Sequence, residues 1–320
     1  MLYNFVKIFA RLALPIYCRD IKINKRALLH TNDGPVLLAV NHPNSFLDAI
    51  ILCTLFNTPL FSLARGDAFK QKKISRLLTA LKLLPVYRVS EGVENLEENY
   101  KTFEACKDIF RQNGMVLIFS EGRCINEWHL RPLKKGTARL AISSWEDGIP
   151  LKVLPVGINY NSFSKFGKNV QLFFGEYITA DIVATDNGHG RSIQAFNENL
   201  RKQLQPFVQE IEATDKQTLH KIFYVPQPIL KKMLLFFPSL LGWLLHAPIY
   251  YPVKNFVIKK SKETDHYDSA MLAIFFLLYP IYLLLLTGML LLVTQHWTGL
   301  FTIIFLPFTA WAHVQLKKQF

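Results

Sequence analysis

The chain has 320 residues, of which 37 are Lys or Arg and 24 are Asp or Glu, for a formal net charge of +13. Half of it is apolar or aromatic, which excludes an intrinsically disordered protein. Four scattered cysteines without a CxxC pair exclude a disulfide-rich scaffold and a zinc ribbon. The charge is segregated: residues 230–320 hold 8 of the basic and 3 of the acidic side chains, and the 48 residues between Asp268 and Lys317 hold none. So long an uncharged stretch is too long for a buried soluble helix and predicts a membrane protein with a globular head.

In chain order, Leu2, Phe5, Phe9, Leu12 and Ile16 fall on one helical face, with Lys7 and Arg11 off it. That spacing predicts an in-plane amphipathic helix over residues 1–19. From residue 20 to 225, short apolar runs alternate with helical patterns. Val36–Val40, after Asp33-Gly34-Pro35, reads as a buried strand, followed by a helix over Phe46–Phe56 and a strand over Leu60–Ala64. Ala68–Lys82 has a basic helical face. Leu96, Tyr100, Phe103 and Phe110 keep helical spacing up to the stop at Asn113-Gly114. Met115–Phe119 is a strand, Thr137–Glu146 a helix, Val153–Tyr160 and Val170–Phe174 strands, and Arg191–Glu212 a last helix that Pro206 should bend or break. Strands alternating with helices predict an α/β fold, a sheet covered by helices.

The rest of the chain, 226–320, reads as a membrane region. Residues 233–253 are apolar, but Pro238, Pro248 and Pro252 interrupt them and lysines flank both ends; this segment is expected to be interfacial or re-entrant. Ala270–Val293 would extend ~36 Å as a helix, enough for a bilayer core of roughly 30 Å. A break at Thr294–Gly299 and a second apolar stretch over 298–315 complete a predicted transmembrane hairpin. Lys254, Lys259, Lys260 and Lys262 precede it and Lys317 and Lys318 follow it, whereas its loop has no basic residue. The positive-inside rule therefore puts the head on the cytoplasmic side of the membrane. Because the apolar segments start after Tyr224, a head ending there is expected to fold by itself.

Four turns at strand ends are crowded with polar residues: Asn41-His42-Pro43-Asn44-Ser45-Phe46-Leu47-Asp48, Leu84-Pro85-Val86-Tyr87-Arg88, Phe119-Ser120-Glu121-Gly122-Arg123, and Leu154-Pro155-Val156-Gly157-Ile158-Asn159-Tyr160. In α/β sheets ligands bind where strands end. A histidine oriented by a carboxylate is a general base that works near neutrality. The first block taken alone is more simply read as Asn44 or Ser45 capping the helix and His42 as an ordinary turn histidine. A residue six positions on lies about 240° round a regular helix, so His42 and Asp48 can meet only if His42–Asn44 stay a loop. Pro43 favours that. Asn44 or Ser45 would then cap the helix, and Asp48 would reach back from its first turn.

In this order and spacing the four blocks resemble the glycerolipid acyltransferase family, of the 1-acyl-sn-glycerol-3-phosphate acyltransferase type, over about Val36–Tyr160. The resemblance implies transfer of an acyl group from acyl-CoA or acyl-ACP, as co-substrate, to a hydroxyl of a glycerol phosphate lipid, as in phospholipid biosynthesis. By the same resemblance His42 is the general base and Asp48 its orienting carboxylate. Arg88 would contact the acceptor phosphate, Glu121 and Gly122 would shape the acceptor pocket, and Arg123 and Lys135 would add positive charge there. No metal or redox cofactor is implied, and Cys124, beside the third block, is no expected nucleophile. Three departures leave the acceptor open: five residues rather than four between His42 and Asp48, Ser120 where the family has Pro with no Thr before Arg123, and the extension Gly157–Tyr160. Glycerol 3-phosphate, another lysolipid or an amino-acid-based lipid are alternative acceptors. A non-catalytic lipid-binding protein would predict a lost His or Asp, and both are present. A nucleic-acid partner is not expected: no basic helix with interleaved aromatics occurs, and membrane lipids account for the charge equally well.

Overall fold

The computed structural model describes residues 1–30, 34–87, 96–183, 188–262 and 264–320. Seven strands, β1 (Cys18–Ile23), β2 (Val36–Val40), β3 (Leu60–Arg65), β4 (Leu83–Val86), β5 (Met115–Phe119), β6 (Lys152–Tyr160) and β7 (Lys168–Phe174), form one sheet in the order β1-β7-β6-β2-β5-β3-β4. Every described pairing is parallel except β6 with β7. The helices of the head are α1 (Leu2–Tyr17), α2 (Ser45–Leu55), α3 (Lys72–Ala80), α4 (Leu96–Arg111), α5 (Lys135–Glu146), the single turn α6 (Ala180–Val183), α7 (His189–Leu204) and α8 (Lys216–Phe223). They are followed by α9 (Ile229–Ser261), α10 (Tyr267–Thr294) and α11 (Thr302–Leu316).

The central strands β2 and β5 are apolar at every position because both faces of the sheet are covered. Alternation sorts their side chains between two cores. Leu38 and Val40 join Leu47, Leu52, Val253 and Met271 under α2, α9 and α10, whereas Leu37 and Ala39 join Phe110, Leu140 and Phe196 under α4, α5 and α7. Pro155 lies inside β6, just beyond the last β6–β7 pair (Val156 with Phe174), so its missing N–H removes no rung of that ladder. Helix α7 stops at Leu204, two residues before Pro206 and short of the Glu212 expected from sequence.

Helix α1 leaves Leu2, Phe5, Ile8, Phe9 and Leu12 exposed. Its Lys7 and Arg11 instead cap the far end of α2, donating to the carbonyls of Phe56 (2.6 Å) and Thr54 (3.0 Å). Three helical segments, 229–261, 267–294 and 297–316, are long and apolar enough to cross a membrane. Segment 233–253 lies within the unbroken α9 in spite of its three prolines. At Gly242 a Cβ would stand 2.0 Å from the Thr309 carbonyl oxygen, so glycine there is what lets α9 and α11 touch along their backbones.

Candidate active site

Strand β2 ends at Val40, flanked in register by Phe119 of β5 and Val156 of β6. The next side chain, Asn41, exchanges two hydrogen bonds with the backbone of Ile158: its amide donates to the carbonyl (3.0 Å) and its oxygen accepts from the N–H (2.8 Å). The amide thus stands in for one more rung of the sheet and fixes where the loop begins. The backbone N–H of His42 donates to Glu121 Oε2 (2.8 Å), and its ring stacks on Phe119 with centroids 3.8 Å apart. The chain then turns at Ser45, whose φ of +48° is uncommon for a residue with a Cβ, and enters α2.

Asp48 sits fully buried in the first turn of α2, where its charge suits the helix N-terminus. Its Oδ2 lies 2.9 Å from His42 Nδ1 and accepts from the Asn44 N–H (2.9 Å), while Oδ1 accepts from the Tyr160 hydroxyl (2.7 Å). The pair therefore meets in the way the loop argument requires, and the extra residue is taken up before the helix. The cap differs from expectation. Neither Asn44 nor Ser45 caps with its side chain; Asp48 bonds the orphan N–H instead, and the Asn44 amide is turned away to Asp268.

A carboxylate acceptor at Nδ1 places the proton there and leaves Nε2 with its lone pair. Among the described residues no hydrogen bond is made to Nε2. Burial, and then the Asp48 charge, raise the Tyr160 hydroxyl well above its usual range, so it stays protonated and donates. Burial also raises the Glu121 carboxyl, opposed by the backbone N–H groups of His42 and Arg131. Through those two bonds, 2.8 and 3.0 Å, Glu121 ties the His42 loop to the 131 loop. Gly122 follows at φ +67°.

Residues 20–159, from β1 through the His42 loop and Glu121 to the end of β6, match the family model described as Acyltransferase. Over 179 residues, 52% of this chain, the sequence is 26% identical to Glycerol-3-phosphate O-acyltransferase 2 of Saccharomyces cerevisiae, and the match spans 23% of the length of that relative. A solved structure, PlsC, the 1-acyl-sn-glycerophosphate (LPA) acyltransferase of Thermotoga maritima, aligns with 71% of this chain and 81% of its own at 14% identity and a TM-score of 0.47. Residues 20–159 thus resemble an acyltransferase domain, and the yeast relative they are similar to is of the glycerolipid type.

Around the His42–Asp48 pair the remaining residues expected from sequence are placed unevenly. Arg123 is exposed next to Gly122 and has no ion pair among the described residues. Lys135 is not brought to the His42–Asp48 pair. It lines a separate open cavity of about 420 Å³ with Leu133, Ile193, Asn197 and Arg201, whereas the neighbouring Lys134 packs against Gly122. Arg88 lies outside the described residues. Cys124 is occupied as a hydrogen-bond acceptor for the Ser45 N–H (2.8 Å), and burial raises its thiol far above the ordinary value of 9.0, which removes it as a thiolate nucleophile. Sequence reading missed Tyr160, Asn44 and the Lys168–Asp268 pair as parts of this site. The one available signal for Tyr160 was the extension Gly157–Tyr160, which lengthens β6 just enough to carry that hydroxyl under Asp48.

Proposed function

We propose that this chain is an O-acyltransferase that moves a fatty acyl group from acyl-CoA or acyl-ACP to the hydroxyl of a glycerol phosphate lipid, converting lysophosphatidic acid to phosphatidic acid. The observation that carries the reading is the 2.9 Å bond between His42 and buried Asp48 at the carboxyl end of β2, with Nε2 left open. His42 Nε2 takes the proton of the acceptor hydroxyl as that oxygen attacks the thioester carbonyl carbon. The C–O bond forms, the tetrahedral intermediate collapses with cleavage of the C–S bond, and the imidazolium returns the proton to the departing thiolate. Asp48 holds the ring tautomer and balances the imidazolium charge; Tyr160 and the Asn44 N–H hold Asp48. Stacking on Phe119 keeps the ring from turning away. The exposed guanidinium of Arg123 supplies a bidentate partner for the acceptor phosphate.

Membrane association follows from a water-insoluble acceptor, and the apolar face of α1 with the three apolar helices supplies it. The lysines around 254–262 and 317–318 support a head on the cytoplasmic side by the positive-inside rule. A second reading, glycerol 3-phosphate as acceptor, is favoured by the name of the yeast relative and uses the same His42–Asp48 chemistry. Thiol release from acyl-CoA, measured with lysophosphatidic acid, glycerol 3-phosphate and uncharged lysolipids in turn, decides between them. Turnover with lysophosphatidic acid supports the first reading; turnover with glycerol 3-phosphate alone replaces it by the second. Thiol release with none of the acceptors contradicts both.

A further inference from the structure

The turn that opens α10 is fastened to the His42 loop. Asp268 Oδ2 accepts from the Asn44 amide (2.7 Å), Ser269 Oγ accepts from the Phe46 N–H (3.1 Å), and His266 Nδ1 lies 2.9 Å from Ser45 Oγ. One residue earlier, Asp265 Oδ1 accepts the N–H of Asn126 (3.1 Å), in the loop after Gly122. Asp268 is fully buried. Its other partners are Lys168 Nζ, 2.7 Å from Oδ2, and the Tyr17 hydroxyl, 2.6 Å from Oδ1. Lys168 is equally buried, donates also to the Ser162 carbonyl, and brings its Nζ to 6.0 Å from the ring centroid of Tyr160. Asn44 is the link: its side chain is held by Asp268 while its backbone N–H is held by Asp48. Only the start of β7, the end of α1 and the first turn of α10 together complete this cluster.

An ion pair sealed from water contributes little net stability, because the desolvation of both charges offsets their attraction. Its geometric consequence is larger, since a small misplacement of catalytic groups costs far more rate than stability. We propose that Asp268, charge-balanced by Lys168, is a positioning residue for the His42–Asp48 pair: it holds Asn44, and Asn44 holds Asp48. The proposal rests on the acyl-transfer reading of that pair. Its consequence is that the site is fully assembled only when α10, a helix apolar enough to cross a membrane, is seated on the head.

The test uses the full-length protein in detergent micelles with acyl-CoA and lysophosphatidic acid. In Lys168→Met/Asp268→Leu the charges are replaced by apolar groups of similar size, which leaves no lone buried charge, but the Tyr17 hydroxyl and the Asn44 amide lose their acceptor, so the melting midpoint is expected to fall while the protein stays folded. The kcat is expected to fall about tenfold or more at unchanged acceptor KM. Carbethoxylation of His42 by diethyl pyrocarbonate, read by mass spectrometry, becomes at least about threefold faster as the ring loosens from Asp48. Asn44→Ala, which leaves the ion pair in place, reproduces both effects, and the triple variant loses no more than Asn44→Ala alone. Wild-type kcat in Lys168→Met/Asp268→Leu, a fall in kcat with unchanged carbethoxylation, or additive losses in the triple variant would each overturn the proposal. Should the charge-free pair fail to fold, Asn44→Ala decides by the same two readouts. If His42→Ala keeps full transfer activity, the reading of His42 as the base fails on its own account, and the carbethoxylation rates still decide whether Asp268 positions His42.

Discussion

At the scale of single residues, the chemistry depends on how completely Asp48 is tied down. Tyr160→Phe leaves Asp48 Oδ1 buried without a donor, a deficit of about 1–3 kcal/mol. Where that deficit appears as lost orientation of His42, kcat falls roughly 5- to 150-fold. A kcat within twofold of wild type, alongside an unchanged melting midpoint, would show that the hydroxyl is dispensable. Arg123 is the opposite case, an exposed side chain with no ion pair among the described residues. Arg123→Ala is expected to raise KM for a phosphate-bearing acceptor about tenfold, the size of one charge-assisted hydrogen bond, and to leave the melting midpoint in place. Arg123→Lys restores part of the loss, because a lysine keeps the charge but not the bidentate fork. Steady-state KM values for the three proteins check this, and equal values would assign Arg123 to the solvated surface.

At the scale of elements, strands buried on both faces were the most legible. Val36–Val40 and Met115–Phe119 match their sequence ranges residue for residue because continuous apolar runs between turns have one stable use in an α/β sheet. Strand β1 was not legible: Cys18–Ile23 follows α1 without a turn, sits at the sheet edge, and carries Arg19, Asp20 and Lys22 among its six residues. The meeting of His42 with Asp48 could be argued from Pro43 and helical angles, yet the cap could not, because Asn44 is claimed by Asp268, 224 residues away. Long-range partners of this kind leave no local periodicity. The end of α11 carries a further consequence. Burial, reinforced by Lys254, Arg19, Lys165 and Lys168, lowers Lys317 from 10.5 to about 8. Between those values the unfolded chain binds more protons than the folded one, so stability rises with pH across that window. Wild-type protein should therefore gain stability relative to Lys317→Gln as pH rises from about 8 to 10.5. Melting curves in detergent read the difference; a gap that stays constant with pH would show that Lys317 is not desolvated.

At the scale of the whole molecule, the membrane region is built into the head rather than appended to it. Gln319 exchanges hydrogen bonds with the backbone of Val225 (3.0 and 2.7 Å), and Arg19 donates to the carbonyls of Val314 (2.9 Å) and Lys317 (2.7 Å). The sequence led us to expect a head ending at Tyr224 to fold by itself. Such a truncation strips Lys168 of its buried counter-ion, a loss of about 3–5 kcal/mol against a typical total of ~5–15, so the truncated chain is expected to melt far below the full-length protein or to aggregate. The same contacts limit the membrane path. Val225, Asp265–Ser269 and Lys317–Gln319 all bond the head, so the chain returns to one side both after α9 and after α11. We propose that α10 with α11 crosses as a hairpin and that α9, whose Leu245 carbonyl accepts from the Tyr282 hydroxyl half-way along α10, enters the apolar layer beside it and returns. Cysteines at Lys262 and Lys318 should react with an impermeant maleimide from the same face of sealed vesicles, while one at Gln295 should not; labelling of 262 and 318 from opposite faces would contradict this path. Acceptor-dependent thiol release by wild-type and His42→Ala protein, reconstituted in the same vesicles, tests the acyl-transfer chemistry most directly. Loss of roughly 10²–10⁴-fold in kcat with an unchanged circular dichroism spectrum is the predicted result, and a variant that keeps a third of wild-type turnover would contradict the account.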